Sequence, residues 1–263
     1  MIQDATDKEL INKVSELIAQ SQRILFITGA GISAESGLPT YRGVGGLYDR
    51  NLTDDGYTIE EALSAQMMAS RPDITWKYLW QIGSACRQAK PNRAHEVIAA
   101  LEKRKPESWV LTQNVDGYHR TAGSENLIEI HGHAFDLHCP TCAAEYTHEA
   151  LFDDTADSVD FPPHCDQCGG VIRPDVVLFG EMLPEQKLQI LMREYMKGFE
   201  LVFSIGTSGA FPYIVEPVIR AAQQGIPTVE INPGETPVSE IVQYRLEMPA
   251  ADALGQIWQH LQQ

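Results

Sequence analysis

No apolar run in the sequence approaches the roughly 18 residues that a bilayer-crossing helix requires, so a helical membrane span is not expected. Basic charge is short: 20 Lys and Arg stand against 36 Asp and Glu, a formal charge of −16. With no basic stripe to offset that charge, nucleic-acid binding through phosphates is not expected, and the acidic surface suits Lys-rich partners or simple solubility. Internal repeats, low-complexity tracts and long linkers are missing too, so the organisation has to be read from strands and helices. Secretory character is absent as well. The first residues, MIQDATDKELINKVSELIAQ, are polar and acidic with apolar residues at helical spacing, and a cytoplasmic location is expected.

What is present is a soluble globular composition, 43% apolar, in a chain long enough for one large domain or a large domain with a smaller one attached. Short apolar runs bounded by turn residues recur as RILFITGAG, SWVLTQN, LIEIHG, LVFSIGTS, PTVEINPG and VQYRLEMP. Amphipathic stretches such as AHEVIAALEKR and PYIVEPVIRAAQQG lie between several of them. This alternation predicts an α/β fold, a Rossmann-like parallel sheet with helices on both faces. Two stretches interrupt it. Residues 40–90 read as a Gly-rich loop followed by helices, with a capping box at Thr58 to Glu61. Residues 134–174 hold paired cysteines and an acidic segment. The sheet domain is therefore assigned to 1–39, 91–133 and 175–263, and the two insertions to a smaller domain made of a helical module and a cysteine module.

Cys139-x2-Cys142 and Cys165-x2-Cys168 have the spacing of a zinc ribbon. Thiolates two residues apart grip one tetrahedral ion from a tight turn, and a second pair closes the shell. A closed four-thiolate shell leaves no position for substrate, so the expected Zn2+ is structural, worth on the order of 10 kcal/mol to the module's folding. His138 and His164 flank the ligands as solvated neighbours, and Cys86 is expected to be buried.

Gly29-x-Gly31-x-x-Ala34, directly after the first strand, has the form of a dinucleotide fingerprint opening a helix, in which glycines let phosphate approach backbone N–H groups. The acidic residue expected about 20 positions later falls on Asp49, in a loop and not at a strand end. Pro39, Tyr41 and Arg42 add a stiff point, an aromatic lid and a cation. Further strand ends carry Gln113, Asn114 and Asp116; His131; Gly206, Thr207 and Ser208; and Asn232 with Gly234. Several polar strand ends on the carboxyl edge of a parallel sheet point to a nucleotide crevice.

The ordered set GAGIS, SGLPTYRG, TQNVDGYHRTAG, IEIHG, four cysteines, RPDVVLFGE, GTS and INPG resembles the sirtuins, NAD-dependent protein lysine deacylases, from about Arg23 to the C-terminus. The resemblance implies that NAD and an acyl-lysine protein or peptide meet in a cleft between the two domains. It implies that Gly29, Ala30, Gly31 and Ser33 line the NAD phosphates and that Tyr41 and Arg42 belong to a cofactor loop. Gln113, Asn114 and Asp116 would hold the nicotinamide ribose and carboxamide, with Asn114 also positioning the reacting groups. Gly206, Thr207, Ser208, Asn232 and Gly234 would hold the adenosine half. His131 would be the general base that takes a ribose hydroxyl proton, as an imidazole titrating near pH 6.5 can do. The segment Val176, Val177, Phe179, Gly180 and Glu181 would pair with the substrate backbone. The implied products are nicotinamide, O-acyl-ADP-ribose and free lysine. His95, His119 and His133 keep a structural role, and Ser36 is a turn residue.

The chain departs from the family in three places. Tyr41 stands where Phe is usual. Leu79 and Ile82 occupy the positions at which the desuccinylase branch carries Tyr and Arg, which predicts an apolar acyl pocket taking acetyl or longer fatty acyl groups in preference to succinyl. Phe211-Pro212 replaces a Val-containing peptide-binding stretch. Two rival functions remain: mono-ADP-ribosyl transfer, and an NAD-responsive binding module with little turnover. No nucleic-acid or membrane partner is expected, and the oligomeric state is open, a monomer included.

Overall fold

The computed structural model describes residues 2–40, 52–152 and 160–262. In chain order its strands are β1 (Ile24–Thr28), β2 (Trp109–Thr112), β3 (Leu127–Glu129), β4 (Gly132–His138), β5 (Glu145–Tyr146), β6 (Arg173–Val176), β7 (Leu201–Ile205), β8 (Thr228–Ile231) and β9 (Tyr244–Leu246). All six predicted apolar runs fall on one sheet, in the order β3-β2-β1-β7-β8-β9. Every pairing in it is parallel. This is the doubly wound order, whose direction reverses between β1 and β7, and the crevice outside such a reversal is where ligands bind.

The helices are α1 (Ile2–Gln20), α2 (Ile59–Ala62), α3 (Ala65–Ser70), α4 (Pro72–Gln88), α5 (Arg93–Arg104), α6 (Tyr118–Ala122), α7 (His148–Leu151), α8 (Glu185–Met196), α9 (Pro212–Gln223) and α10 (Ala250–His260). Alternate residues of each central strand face opposite ways, so one chain feeds two cores. Ile24, Phe26, Leu201 and Phe203 pack with α1, α5 and α10. Leu25, Ile27, Leu111 and Val202 pack on the other side with α8 and α9. Phe26 and Phe203 stack at 5.2 Å, which ties the two strands beside the reversal. A sheet covered on both faces presents only its strand ends to solutes, and that confines the chemistry to an edge.

The smaller sheet, β5-β4-β6, is antiparallel and carries the cysteines at its ends. The capping box before α2 is formed as read: the Thr58 hydroxyl accepts from the Glu61 amide, and the Glu61 carboxylate accepts from the Thr58 amide. Trp76 on α4 donates its indole N–H to the Ile172 carbonyl at 2.8 Å and fastens the helical module to the cysteine module. One expectation changes. The segment after β1, Ala30–Ser36, is a single 3₁₀ stretch and not the start of an α-helix.

Candidate active site and metal centre

Two glycine turns meet at the reversal point. The Gly31 amide donates to the Gly206 carbonyl at 2.7 Å and the Gly29 amide to the Ile205 carbonyl at 3.1 Å. A Cβ on Gly31 would lie 2.7 Å from Gly206, and one on Gly206, at φ +57°, would lie 2.3 Å from the Ile32 nitrogen. Close approach of backbone to backbone therefore requires these glycines. The amides of Gly29 and Gly31 are thus engaged within the protein.

The polar residues after β2 converge on this turn. Asn114 donates to the Gly29 carbonyl and to Ser33 Oγ, both at 3.1 Å. Ser33 Oγ in turn donates to Asp116 Oδ2 at 2.7 Å, and the Tyr118 amide donates to Oδ1 at 2.9 Å. Burial raises the Asp116 carboxyl above its ordinary value, and these two hydrogen bonds only oppose that rise. Gln113 donates from its amide to Thr207 Oγ1 at 2.8 Å, which links the second strand end to the fourth. Asn232 extends the row by donating to the Thr207 carbonyl at 3.1 Å, and the Gly234 amide donates back to Asn232 Oδ1 at 3.2 Å. Ser208 is exposed beside them. Tyr41 and Arg42 lie outside the described residues.

Behind this layer sit His95 and His119, both buried. Burial pushes His95 down to about 4 and His119 well below the usual histidine range, so both are neutral. His119 Nε2 lies 3.0 Å from Thr28 Oγ1, and His95 Nε2 lies 3.5 Å from Ser33 Oγ. The structural reading of these two histidines agrees with that placement.

His131 follows β3 at the same edge. Its Nδ1 is 2.9 Å from the Gln113 carbonyl, so Nδ1 carries the proton and Nε2 is the basic nitrogen. Burial is the main influence lowering its proton affinity; the Gln113 carbonyl opposes this, and Lys187 adds to it. A neutral imidazole with a free-electron nitrogen is the form a general base must have near neutral pH. The Tyr213 hydroxyl reaches Nε2 at 2.6 Å, a contact the sequence reading missed. Its signal lay in the same departure from the family, one residue beyond Phe211-Pro212.

A cavity opens beside Ser33, Asn114 and Asp116, lined also by Ala30, Pro39 and Ile82. Buried Cys86 also lines it, with burial pushing its thiol up to about 12. Leu79 lies elsewhere, on a second cavity with Trp80 and Phe135. That cavity does have a cation on its wall: Arg87 lies over the Trp80 ring at 4.7 Å.

The segment after β6 links the turn at His131 to the helices α2 and α3. The Val177 amide donates to the His131 carbonyl at 2.9 Å, and Phe179 pairs through its amide with Leu63 and through its carbonyl with Ala65. Glu181 holds the following turn by two bonds from Arg173, at 2.7 and 2.9 Å. Gly180 sits at φ +87° in that turn.

The four cysteine sulfurs of the two pairs all lie within 4.8 Å of one another. Cys139 and Cys168, and Cys142 and Cys165, stand 3.5 Å apart, with no disulfide among them. Ligands at about 2.3 Å around a tetrahedral zinc are about 3.8 Å apart, so the donor set fits that ion. Matching turns present the pairs. The Cys139 amide donates to the Ala144 carbonyl and the Cys165 amide to the Gly170 carbonyl, both at 2.8 Å.

The Sir2 family model matches residues 29–212, which span the glycine turns, His131 and all four paired cysteines. This chain belongs to the Sir2 family. Over 95% of its length it is 50% identical to NAD-dependent protein deacylase 2 of Pseudomonas aeruginosa, 97% of which is covered. It is 36% identical to NAD-dependent protein deacylase 1 of Archaeoglobus fulgidus, again over 95% of this chain and 97% of the relative. Among solved structures, a Sir2 homologue–NAD complex superimposes with a TM-score of 0.82 at 35% identity, covering 95% of this chain and 93% of that one. A Sir2–p53 peptide–NAD+ complex gives 0.80 at 30% identity, covering 94% and 96%.

Proposed function

We propose that this Sir2-family chain is an NAD-dependent protein lysine deacylase whose substrates are acyl-lysine proteins or peptides. The observation that carries the reading is the convergence of Ser33, Asn114, Asp116 and the neutral His131 on the carboxyl edge, the first three lining one cavity. The naming of its relatives as NAD-dependent deacylases supports it. NAD supplies the electrophilic ribose carbon and the nicotinamide leaving group.

The chain's own residues divide the work. Asn114 and Asp116, cross-linked through Ser33, orient the nicotinamide ribose and carboxamide. Holding reactants in a near-attack geometry is what an amide oxygen, a poor nucleophile, needs. His131 accepts a ribose hydroxyl proton at Nε2, while the Gln113 carbonyl keeps Nδ1 protonated. Ala30, Gly29 and Gly31 bound the phosphates, and Thr207, Ser208, Asn232 and Gly234 take the adenosine half. Val176 to Glu181 takes the peptide by main-chain pairing, a tolerant mode of recognition, at the groups that its bonds to His131, Leu63 and Ala65 leave open or release on binding. The four cysteines hold one structural Zn2+. Ile82, with no Lys or Arg among the described residues lining its cavity, favours acetyl and longer apolar acyl groups over succinyl. In this arrangement the sheet domain comprises 1–39, 91–133 and 175–263, and the inserted modules close over its edge.

Mass spectrometry of purified protein with NAD and acetyl-, succinyl- and long-chain acyl-lysine peptides tests the reading. Deacylation matched by nicotinamide and O-acyl-ADP-ribose, and lost in His131→Ala, is expected. Unchanged peptide with ADP-ribose attached to protein would turn the assignment to mono-ADP-ribosyl transfer. Failure to consume NAD would leave a binding module, and equal efficiency on succinyl- and acetyl-lysine would refute the acyl preference. Metal analysis is expected to find one zinc per chain.

A further inference from the structure

His131 is held at both ring nitrogens. The Gln113 carbonyl can only accept, so Nδ1 is the protonated nitrogen; Nε2 is then an acceptor, and the Tyr213 hydroxyl 2.6 Å away must be the donor. Burial pushes that phenol up to about 12, so it stays a neutral donor throughout the working range. Tyr213 is itself fixed. It lies in the first turn of α9, immediately after Pro212, whose ring presets the entry to the helix. Its ring stacks on Phe211 at 5.5 Å, and both rings meet the imidazole edge-on, at 5.7 Å for Phe211 and 6.0 Å for Tyr213. Phe211, Pro212 and Tyr213 thus form a bracket around one imidazole, in the stretch where this chain departs from the family pattern.

We propose that Tyr213 is a positioning residue of the deacylation reaction: its hydroxyl holds His131 in the Nδ1–H form and caps the Nε2 lone pair until a ribose hydroxyl takes that place. The proposal rests on the reading of His131 as the base. The bond also sets when the base is available. A phenol both donates and accepts: the hydroxyl that donates to neutral Nε2 turns to accept from a protonated Nε2–H, and the bond to the charged ring is the stronger of the two. Removing the hydroxyl therefore makes His131 harder to protonate and extends the reaction to lower pH. The other groups facing the ring have been identified: Lys187 of α8 disfavours its protonation, itself partnered by Asp175 of β6 at 3.5 Å, and the Gln113 carbonyl favours it.

The test is a pH titration of ¹⁵N-histidine-labelled full-length protein by NMR, comparing wild type with Tyr213→Phe and using His131→Ala to assign the signal. The wild type is expected to show the Nδ1–H tautomer with a hydrogen-bonded Nε2. Tyr213→Phe is expected to lower the His131 midpoint by about 0.5–1 pH unit, the shift equivalent to one modest hydrogen bond. The acid limb of kcat/KM for an acetyl-lysine peptide should move the same way by the same amount. Lys187→Gln supplies the contrast, raising the midpoint while leaving the Nε2 hydrogen-bond signature in place. An Nε2–H tautomer in the wild type, or a midpoint and acid limb unmoved in Tyr213→Phe, overturns the proposal. A wild type that removes no acyl group with NAD refutes the deacylase reading, and with it the role in that reaction; the NMR shift still decides the pairing by itself.

Discussion

Asp116 and Glu194 are both buried carboxylates of the sheet domain, one at each edge, and burial leaves them in opposite conditions. Asp116 is 8% exposed and Glu194 2%. Asp116 receives a hydroxyl and an amide, with no cation among its described hydrogen-bond or ion-pair partners, and desolvation wins: its carboxyl is raised. Glu194, on α8, is penalised by burial as well, but bonds from Lys197, Arg193 and Arg23 outweigh the penalty and hold it down to about 2. Arg23, just before β1, also bonds Glu107 at 2.9 Å and the Gly198 carbonyl at 2.8 Å. The amino edge of the sheet is therefore a place where charge is matched. At the carboxyl edge charge is left only partly compensated, as a site must be if a ligand is to complete it.

The largest expected effect separates the two edges by activity. Asp116→Asn should lower deacylation by on the order of 100-fold or more, the range of a lost positioning or proton-handling group. Thermal stability should hold or rise, because a poorly compensated buried charge has gone. A clear fall in Tm would mean that the carboxylate is structural after all. The second effect has the opposite pattern. Glu194→Gln should cost about 1–3 kcal/mol in urea unfolding, as a charge-assisted buried network loses its acceptor. Turnover per folded molecule should be unchanged, and a loss of kcat instead would erase the contrast.

Acid unfolding sharpens the comparison. The Glu194 carboxyl is depressed on folding, so the stability it contributes is present above the ordinary glutamate range and is lost as pH falls towards about 2. Asp116 has the reverse sign. Its folded value is raised, so it favours the fold most when protonated, below the unfolded value, and that advantage is lost as pH rises through the folded value. Glu194→Gln should flatten the acid limb of a stability profile measured by denaturant melts, and Asp116→Asn should leave a steeper one. An acid limb identical in all three proteins would contradict both assignments. The smallest effect distinguishes the cations. Arg193 is 60% exposed and Arg23 14%. Arg193→Ala should therefore cost only about 0–1 kcal/mol, less than Arg23→Ala, and the reverse ranking would place the weight of the cluster on the solvent side.

Much of this site was legible in the sequence because its parts are local. Gln113, Asn114 and Asp116 follow one strand directly and His131 another, and period-2 apolar runs mark where such strands end. The cysteine pairs were legible for the same reason, since each turn is a few residues long. Two features were not. The close approach of Gly31 to Gly206 arises only through the β1–β7 pairing, which a fingerprint read alone does not show. Glu194 finds Arg193 and Lys197 nearby in the sequence but Arg23 only across the fold.

The sequence by itself determined the parallel sheet, the gathering of polar residues at its carboxyl edge and the metal-binding spacing, because periodicity and short-range spacing are properties of the chain read in order. Tertiary structure alone decided which groups touch. It set Tyr213 on Nε2 of His131, closed Gly31 against Gly206, put Ile82 and Leu79 on different cavities, and gave Asp116 and Glu194 opposite proton affinities. Those outcomes turn on desolvation and on contacts between residues far apart in sequence, and neither exists until the chain is packed.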